Sequence, residues 1–220
     1  MSFAPSAGRG GSPAARRRGR TRDAEPDAGR DDGPDADPDA DPESVARAIC
    51  LRLLTMGPRT RAQLADALAA REVPDEVAAA VLDRFGDVGL IDDQAFAAMW
   101  VSSRHLGRGL GRRALAQELR HRGVDDSTVA EAVAAVSDAD EHATARELVR
   151  RRLPSLARYD HATRVRRLVG LLQRKGYGGG LAFAVVREVM GALAAEALAE
   201  AEGAAEGAAE DAGTEPPDLT

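Results

Sequence analysis

The chain has 220 residues, enough for one or two domains, and a formal net charge of −6. A single cysteine, Cys50, excludes an intramolecular disulfide and a cysteine metal cage, and no apolar run reaches the roughly 18 residues of a membrane helix. No apolar signal core follows the N-terminal basic residues, so the reading is a cytoplasmic protein without membrane partners.

The net charge conceals three regions. Residues 1–43 carry seven Arg and ten acids, and residues 191–220 carry eight acids and no base. Between them, residues 44–190 carry 23 Lys plus Arg against 18 acids, and only Lys175 of those bases is a lysine. A mildly basic, Arg-rich body therefore lies between acidic tails. Arg suits planar, bidentate contact with carboxylate or phosphate.

The opening stretch ends in GRDDGPDADPDADPE, Gly29 to Glu43, which is too acidic and Pro-rich to offset the entropy of ordering. Residues 1–43, with the Arg16–Arg17–Arg18 run, are expected to form a disordered arm. Val45, Ile49, Leu53 and Met56 then form a helical stripe after Pro42 and Ser44, stopped by Gly57-Pro58. Cys50 lies inside that apolar helix and reads as core. Thr60 with Gln63 is a capping box for a second helix with Leu64 and Leu68 inward. Val73-Pro74-Asp75 opens a third helix, which buries Ala78, Val81, Leu82 and Phe85 and exits at Gly86 and Gly89.

A fourth helix starts at Asp92 or Asp93, either of which can cap it. Phe96, Met99, Trp100 and Ser103 follow at i, i+3, i+4 and i+7, so Phe96 and Trp100 read as core rather than as exposed anchors. HLGRGLGRR comes next. It lacks the preceding strand and the Lys-Ser/Thr ending of a phosphate loop, so its glycines read as a helix exit and re-entry around a mobile basic turn.

From here the pattern repeats. LADALAAREVPDEVAAAVL (64–82) aligns with LAQELRHRGVDDSTVAEAV (115–133) and with LVGLLQRKGYGGGLAFAVV (168–186), at shifts of 51 and 53. Repeats of about fifty residues imply stacked helical units that bury their faces on one another. The expected fold class is all-α, with three tandem three-helix, helix-turn-helix-like repeats over about 44–88, 89–137 and 138–190. Residues 191–220, rich in Ala and Glu, could extend the last helix, but their glycines point to fraying and a mostly disordered tail.

GLIDDQAFAAMWVSSR, the basic turn and ALAQELRHRGVDD together resemble the central repeat of the RecX family, regulators of the recombinase RecA. TRAQLADALAAREVPDEVAAAVLDRFGDVGLID resembles the family's first repeat, and RVRRLVGLLQRKGYGGGLAFAVVREVM its third. Glu72 departs from the pattern, standing where Gly123 and Gly176 end the corresponding helices. The resemblance implies a curved, elongated, non-enzymatic monomer lying in the groove of the RecA–DNA filament. It would bridge protomers and restrain filament growth, ATPase, strand exchange and coprotease activity, within homologous recombination, DNA repair and the SOS response. Weak non-specific DNA contact is compatible with that role.

From the residues themselves, the partner surface is expected on a basic strip of Arg104, Arg108, Arg112, Arg113, Arg120, Arg164, Arg166, Arg167, Arg174 and Lys175. Opposite charges are sparse between Arg104 and Arg113 and again between Arg164 and Lys175. His105, His121, His142 and His161 show no i, i+4 pairing with one another, so no metal site is expected, nor any cofactor or catalytic residue. A helix-turn-helix DNA-binding protein and a helical-repeat scaffold for another partner remain alternative readings.

Overall fold

The computed structural model describes residues 41–211, with side chains to residue 200 except 197 and 198. The N-terminal arm before residue 41, its Arg16–Arg18 run and the last nine residues of the tail lie outside the described residues. Among the described residues the fold is all-helical, with no strand. The first repeat holds α1 (Pro42–Met56), α2 (Arg61–Ala69) and α3 (Asp75–Asp87). The second holds α4 (Asp93–Arg108), α5 (Arg112–His121) and α6 (Asp126–Ala134). The third holds α7 (Asp138–Arg152), a 3-10 helix (Leu153–Leu156), α8 (His161–Arg174) and α9 (Gly179–Asp211).

Local signals set most of the helix starts. Thr60 accepts from the Gln63 N–H while the Gln63 side chain accepts from the Thr60 N–H, the reciprocal box expected there. Asp92, Asp125, Ser137 and Asp160 cap α4, α6, α7 and α8 through their side-chain oxygens. The Asp160 carboxyl is held below the usual carboxylate range by the Thr163 N–H and hydroxyl, which favour its ionised form.

Each repeat closes its own core. The first gathers Ala46, Cys50, Leu64, Leu68, Val81 and Phe85. The second gathers Phe96, Ala97, Val101, Leu115, Leu119 and Val129, and the third Leu168, Leu172, Tyr177, Ala182, Val185 and Val186. The paired leucines of the second helices are fully buried in all three repeats. Burial of one such side chain stabilises by about 1.5–3 kcal/mol.

Three details depart from expectation. Met56 does not join the α1 stripe and is exposed, while Ala46 and Cys50 carry the buried face. On α4 the inward stripe is Phe96, Ala97, Val101 and His105. Met99 is half exposed and Ser103 is exposed, while Ala97 is fully buried on the inward face. The turn after α4 is packed rather than mobile. Gly109 and Gly111 are buried, and a Cβ on Gly111 would stand 2.9 Å from the backbone of Gly176 and Tyr177. The last helix, α9, runs past residue 190 to Asp211, the extension that the Ala and Glu content allows.

The repeats meet through the ends of their second helices. At the first junction the Thr60 hydroxyl donates to the Arg122 carbonyl at 2.7 Å, and the Arg61 N–H donates to Asp93 Oδ1 at 2.9 Å. At the second junction the equivalent positions do the same. The Gly111 N–H donates to the Lys175 carbonyl at 2.8 Å, and the Arg112 N–H to Glu141 Oε1 at 2.9 Å. The start of α2 thus abuts the end of α5, and the start of α5 the end of α8. The start of one helix donates to a spare carbonyl at the end of the next, from a hydroxyl at Thr60 and an N–H at Gly111, while its next N–H meets a carboxylate.

The second junction is the more heavily bonded. Lys175 Nζ donates to the Arg108 carbonyl at 2.6 Å and the Tyr177 hydroxyl to the Gly109 carbonyl at 3.1 Å. His105 adds a link, with Nδ1 2.9 Å from the Leu110 carbonyl and Nε2 3.0 Å from the Thr144 hydroxyl. A carbonyl only accepts, so Nδ1 carries a proton and donates to Leu110.

Candidate functional site

The charge surplus of the body lies in one repeat. Residues 44–88 carry six bases and six acids, residues 89–137 six and six, and residues 138–190 eleven bases and six acids. The net +5 of the body therefore belongs to the third repeat.

The ten cations of the expected strip divide accordingly. In the second repeat, Arg104 stacks over Trp100 at 4.1 Å and lies 3.9 Å from Glu118. Arg112 is held by Asp138 at 2.6 Å, by Glu141 and by the Val136 carbonyl. Arg120 pairs with Asp126 at 2.7 Å. Arg108 is exposed at the turn and Lys175 is tied to its carbonyl. In the third repeat, Arg164 donates to the Tyr159 and Ala157 carbonyls, and Arg167 stacks on the Tyr159 ring at 3.9 Å. The adjacent guanidiniums, Arg158 first and Arg167 after it, favour the phenolate and lower the Tyr159 pKa from its ordinary value. Arg113, Arg166 and Arg174 remain, exposed and without a side-chain hydrogen bond or ion pair among the described residues. Arg150, Arg151 and Arg152 at the end of α7 and Arg187 on α9 share that state.

Trp100 is an edge residue rather than a buried one. Its ring stacks on Phe96 at 5.7 Å between centroids, receives the guanidiniums of Arg104 and Arg122, and donates from Nε1 to Glu118 at 2.9 Å. Cation–π contact of this kind locks side chains to the second repeat's surface and uses the charge that a partner would otherwise meet.

Arg113 and Arg174 both line a cavity of about 360 Å³ at the second junction, with Gln117, Gln173, Gly176 and Gly179. No acid lines it, so its side chains offer donors from both arginines and both glutamines. Arg113 Nη2 lies 3.7 Å from where a Cβ on Gly178 would stand, and Gln173 Nε2 lies 3.7 Å from the same point on Gly179. Phe183, one turn further along α9, is 59% exposed.

Phe183, Arg187 and the two glutamines were not among the expected partner residues. For Phe183 a signal was present: in the internal alignment its counterparts are Ala79 and Ala130, both outward-facing. The third repeat places a large aromatic where the fold elsewhere needs only a methyl group. Among the described residues, no group of three or more His, Cys, Asp or Glu is placed to hold a metal, and no helix is long and apolar enough to cross a membrane.

Comparison with known proteins gives matches in all three repeats. Residues 46–85 match the first three-helix domain of RecX, residues 92–133 the second and residues 139–186 the third. A protein of Thermobifida fusca named Regulatory protein RecX is 63% identical over 151 residues, covering 69% of this chain and 82% of that protein. A namesake from Streptomyces coelicolor is 56% identical over 145 residues, covering 66% of this chain and 77% of its own length. In structure, the crystal structure of RecX from Lactobacillus salivarius superposes with a TM-score of 0.64 at 18% identity, covering 67% of this chain and 96% of that one, a likeness of fold.

Proposed function

The chain belongs to the RecX family of regulatory proteins, and from that premise we propose that it modulates the RecA recombinase by binding the RecA–DNA filament and restraining its growth and ATP hydrolysis. The observation that carries the reading is the run of three matched domains in family order, together with high identity to proteins named as regulators. In this reading the chain acts by occupancy and not by chemistry. It engages the filament as a monomer in the cytoplasm, and strand exchange, coprotease action and the SOS response are damped as consequences.

The physical support is a surface suited to a polyanionic assembly. The third repeat carries the body's entire positive surplus, and six of its exposed arginines, with Arg113 of the second repeat, lack an internal partner among the described residues. Screening limits the reach of these charges to about 8 Å in cell-like salt, so they act at contact rather than at a distance. Within the ten-residue strip, Arg113, Arg166 and Arg174 are the members whose charge is open to the filament. Arg104, Arg120 and Arg164 serve first to hold their own repeats, and Arg112 to join the second repeat to the third.

The test is a titration of the chain into RecA turning over ATP on single-stranded DNA. Substoichiometric chain lowers the hydrolysis rate and shortens filaments seen by electron microscopy. A rate and a length distribution that stay constant past equimolar chain overturn the reading.

A further inference from the structure

We propose that the cavity between α5 and the start of α9, with Phe183 beside it, is a binding site for single-stranded nucleic acid. A phosphate would be held by Arg113 and Arg174, and a base stacked on Phe183. The inference rests on the filament reading for its setting, since a RecA–DNA filament presents a nucleic-acid strand. It adds which part of this chain meets that strand and how.

Three observations converge. First, the cavity is lined by the donor-bearing residues Arg113, Arg174, Gln117 and Gln173 without an acidic neighbour. Two of these, Arg113 Nη2 and Gln173 Nε2, lie over the backbone of Gly178 and Gly179, where the missing side chains keep the approach open. A tetrahedral oxyanion accepts from several directions at once and suits such a set better than one planar carboxylate does.

Second, Phe183 is four residues from Gly179, and Arg187 four from Phe183, so all three lie on one outward stripe of α9 that begins at the cavity. One turn is about 5.4 Å along the axis. A bound phosphate and a base stacked on Phe183 therefore lie within the span of a single nucleotide, with Arg187 a turn beyond for the next backbone charge.

Third, Phe183 stands outside the core of the third repeat. Its counterparts Ala79 and Ala130 occupy the same outward position, and Phe183 leaves 59% of its surface in water. An exposed aromatic beside cations is the arrangement that binds strands without reading their sequence, because every base has a face to stack. The charge partition agrees: this stripe belongs to the repeat that holds the whole positive surplus.

The experiment uses the full chain and a fluorescein-labelled oligothymidylate of about 15 nucleotides, near the upper site size of small single-strand binders, followed by anisotropy over a range of salt. A duplex of equal length runs in parallel, and circular dichroism checks that each variant is folded. Phe183→Ala weakens single-strand binding about ten-fold with the salt dependence unchanged, Phe183→Trp restores it, and duplex affinity stays as in the native chain. The double variant Arg113→Gln with Arg174→Gln instead flattens the salt dependence by about 0.7 per contact removed.

Native-like single-strand affinity in Phe183→Ala, or equal loss on single strand and duplex, overturns the proposal. If Phe183→Ala keeps its single-strand affinity but loses its effect on RecA turnover, the stripe docks on protein; the inference falls and the filament reading stands. If the single-strand pattern holds while the native chain leaves RecA turnover untouched, the site stands and the filament reading falls.

Discussion

Asp93 carries an acid into a place that penalises its charge. Burial, first, and then the nearby Asp125 and Asp92 raise its pKa, while the Arg61 N–H it accepts from pulls the other way. A carboxyl whose folded pKa is raised favours folding while it is protonated, and that contribution is lost as the pH rises through the folded value. Asp125 and Asp160 have the opposite sign: cap bonds lower their pKa, so their contribution is present at neutral pH and lost on acidification. Asp93→Asn keeps an oxygen for the Arg61 N–H and removes the charge. It is expected to raise the melting temperature at pH 7 and to lose that advantage as the pH falls toward 4, whereas Asp93→Ala lowers it at both. Thermal denaturation at several pH values checks this. That either Asp92 or Asp93 could cap a helix was legible in sequence; that Asp92 caps its own and Asp93 caps another repeat's was not, because the second partner is 32 residues away.

At the scale of the element, the glycines after the second helices explain a departure visible in the sequence. Gly123 and Gly176 adopt φ of 74° and 89°. A Cβ on Gly123 would collide with the Ala62 side chain, and one on Gly176 with Ala114, each on the second helix of the preceding repeat. Both glycines are needed for conformation and for docking space. Glu72, their counterpart in the first repeat, has φ of 57° and is exposed, because no earlier repeat docks against it among the described residues. Gly123→Ala is therefore expected to cost more than the roughly 1–2 kcal/mol of a left-handed alanine, the excess coming from the displaced start of α2. Glu72→Gly is expected to be neutral or mildly stabilising. Chemical denaturation of both variants tests the contrast, and equal costs would remove the docking argument. The buried leucine pairs and the Thr60 box were readable directly, since their causes are local. The reach of the Tyr177 hydroxyl to Gly109, 68 residues away, depends on how distant chain segments meet, which periodicity does not encode.

Across the whole molecule, the two junctions are unequal. The first rests chiefly on Thr60 with Arg122 and Arg61 with Asp93. The second adds Lys175, Tyr177, His105 and the packing of Leu148 against the Gly109 turn. In a repeat protein the cooperativity between units follows such interfaces. Leu64→Ala, at about 2–5 kcal/mol, is expected to lose amide-exchange protection within the first repeat alone. Leu172→Ala is expected to lose it in the third repeat and in the α4–α5 region as well. Exchange mass spectrometry resolves the two patterns, and a loss spread over the whole body from Leu64→Ala would show the first junction to be as tight as the second.

Because each core is sealed by helices adjacent in sequence, the contacts that hold the body are short-range along the chain, and short-range contacts form fast. A nascent chain leaving the ribosome can bury Leu64 and Leu68 before the third repeat has been translated. Synthesis would then assemble the body one block at a time, each finished block offering the start of its second helix to a helix end not yet made.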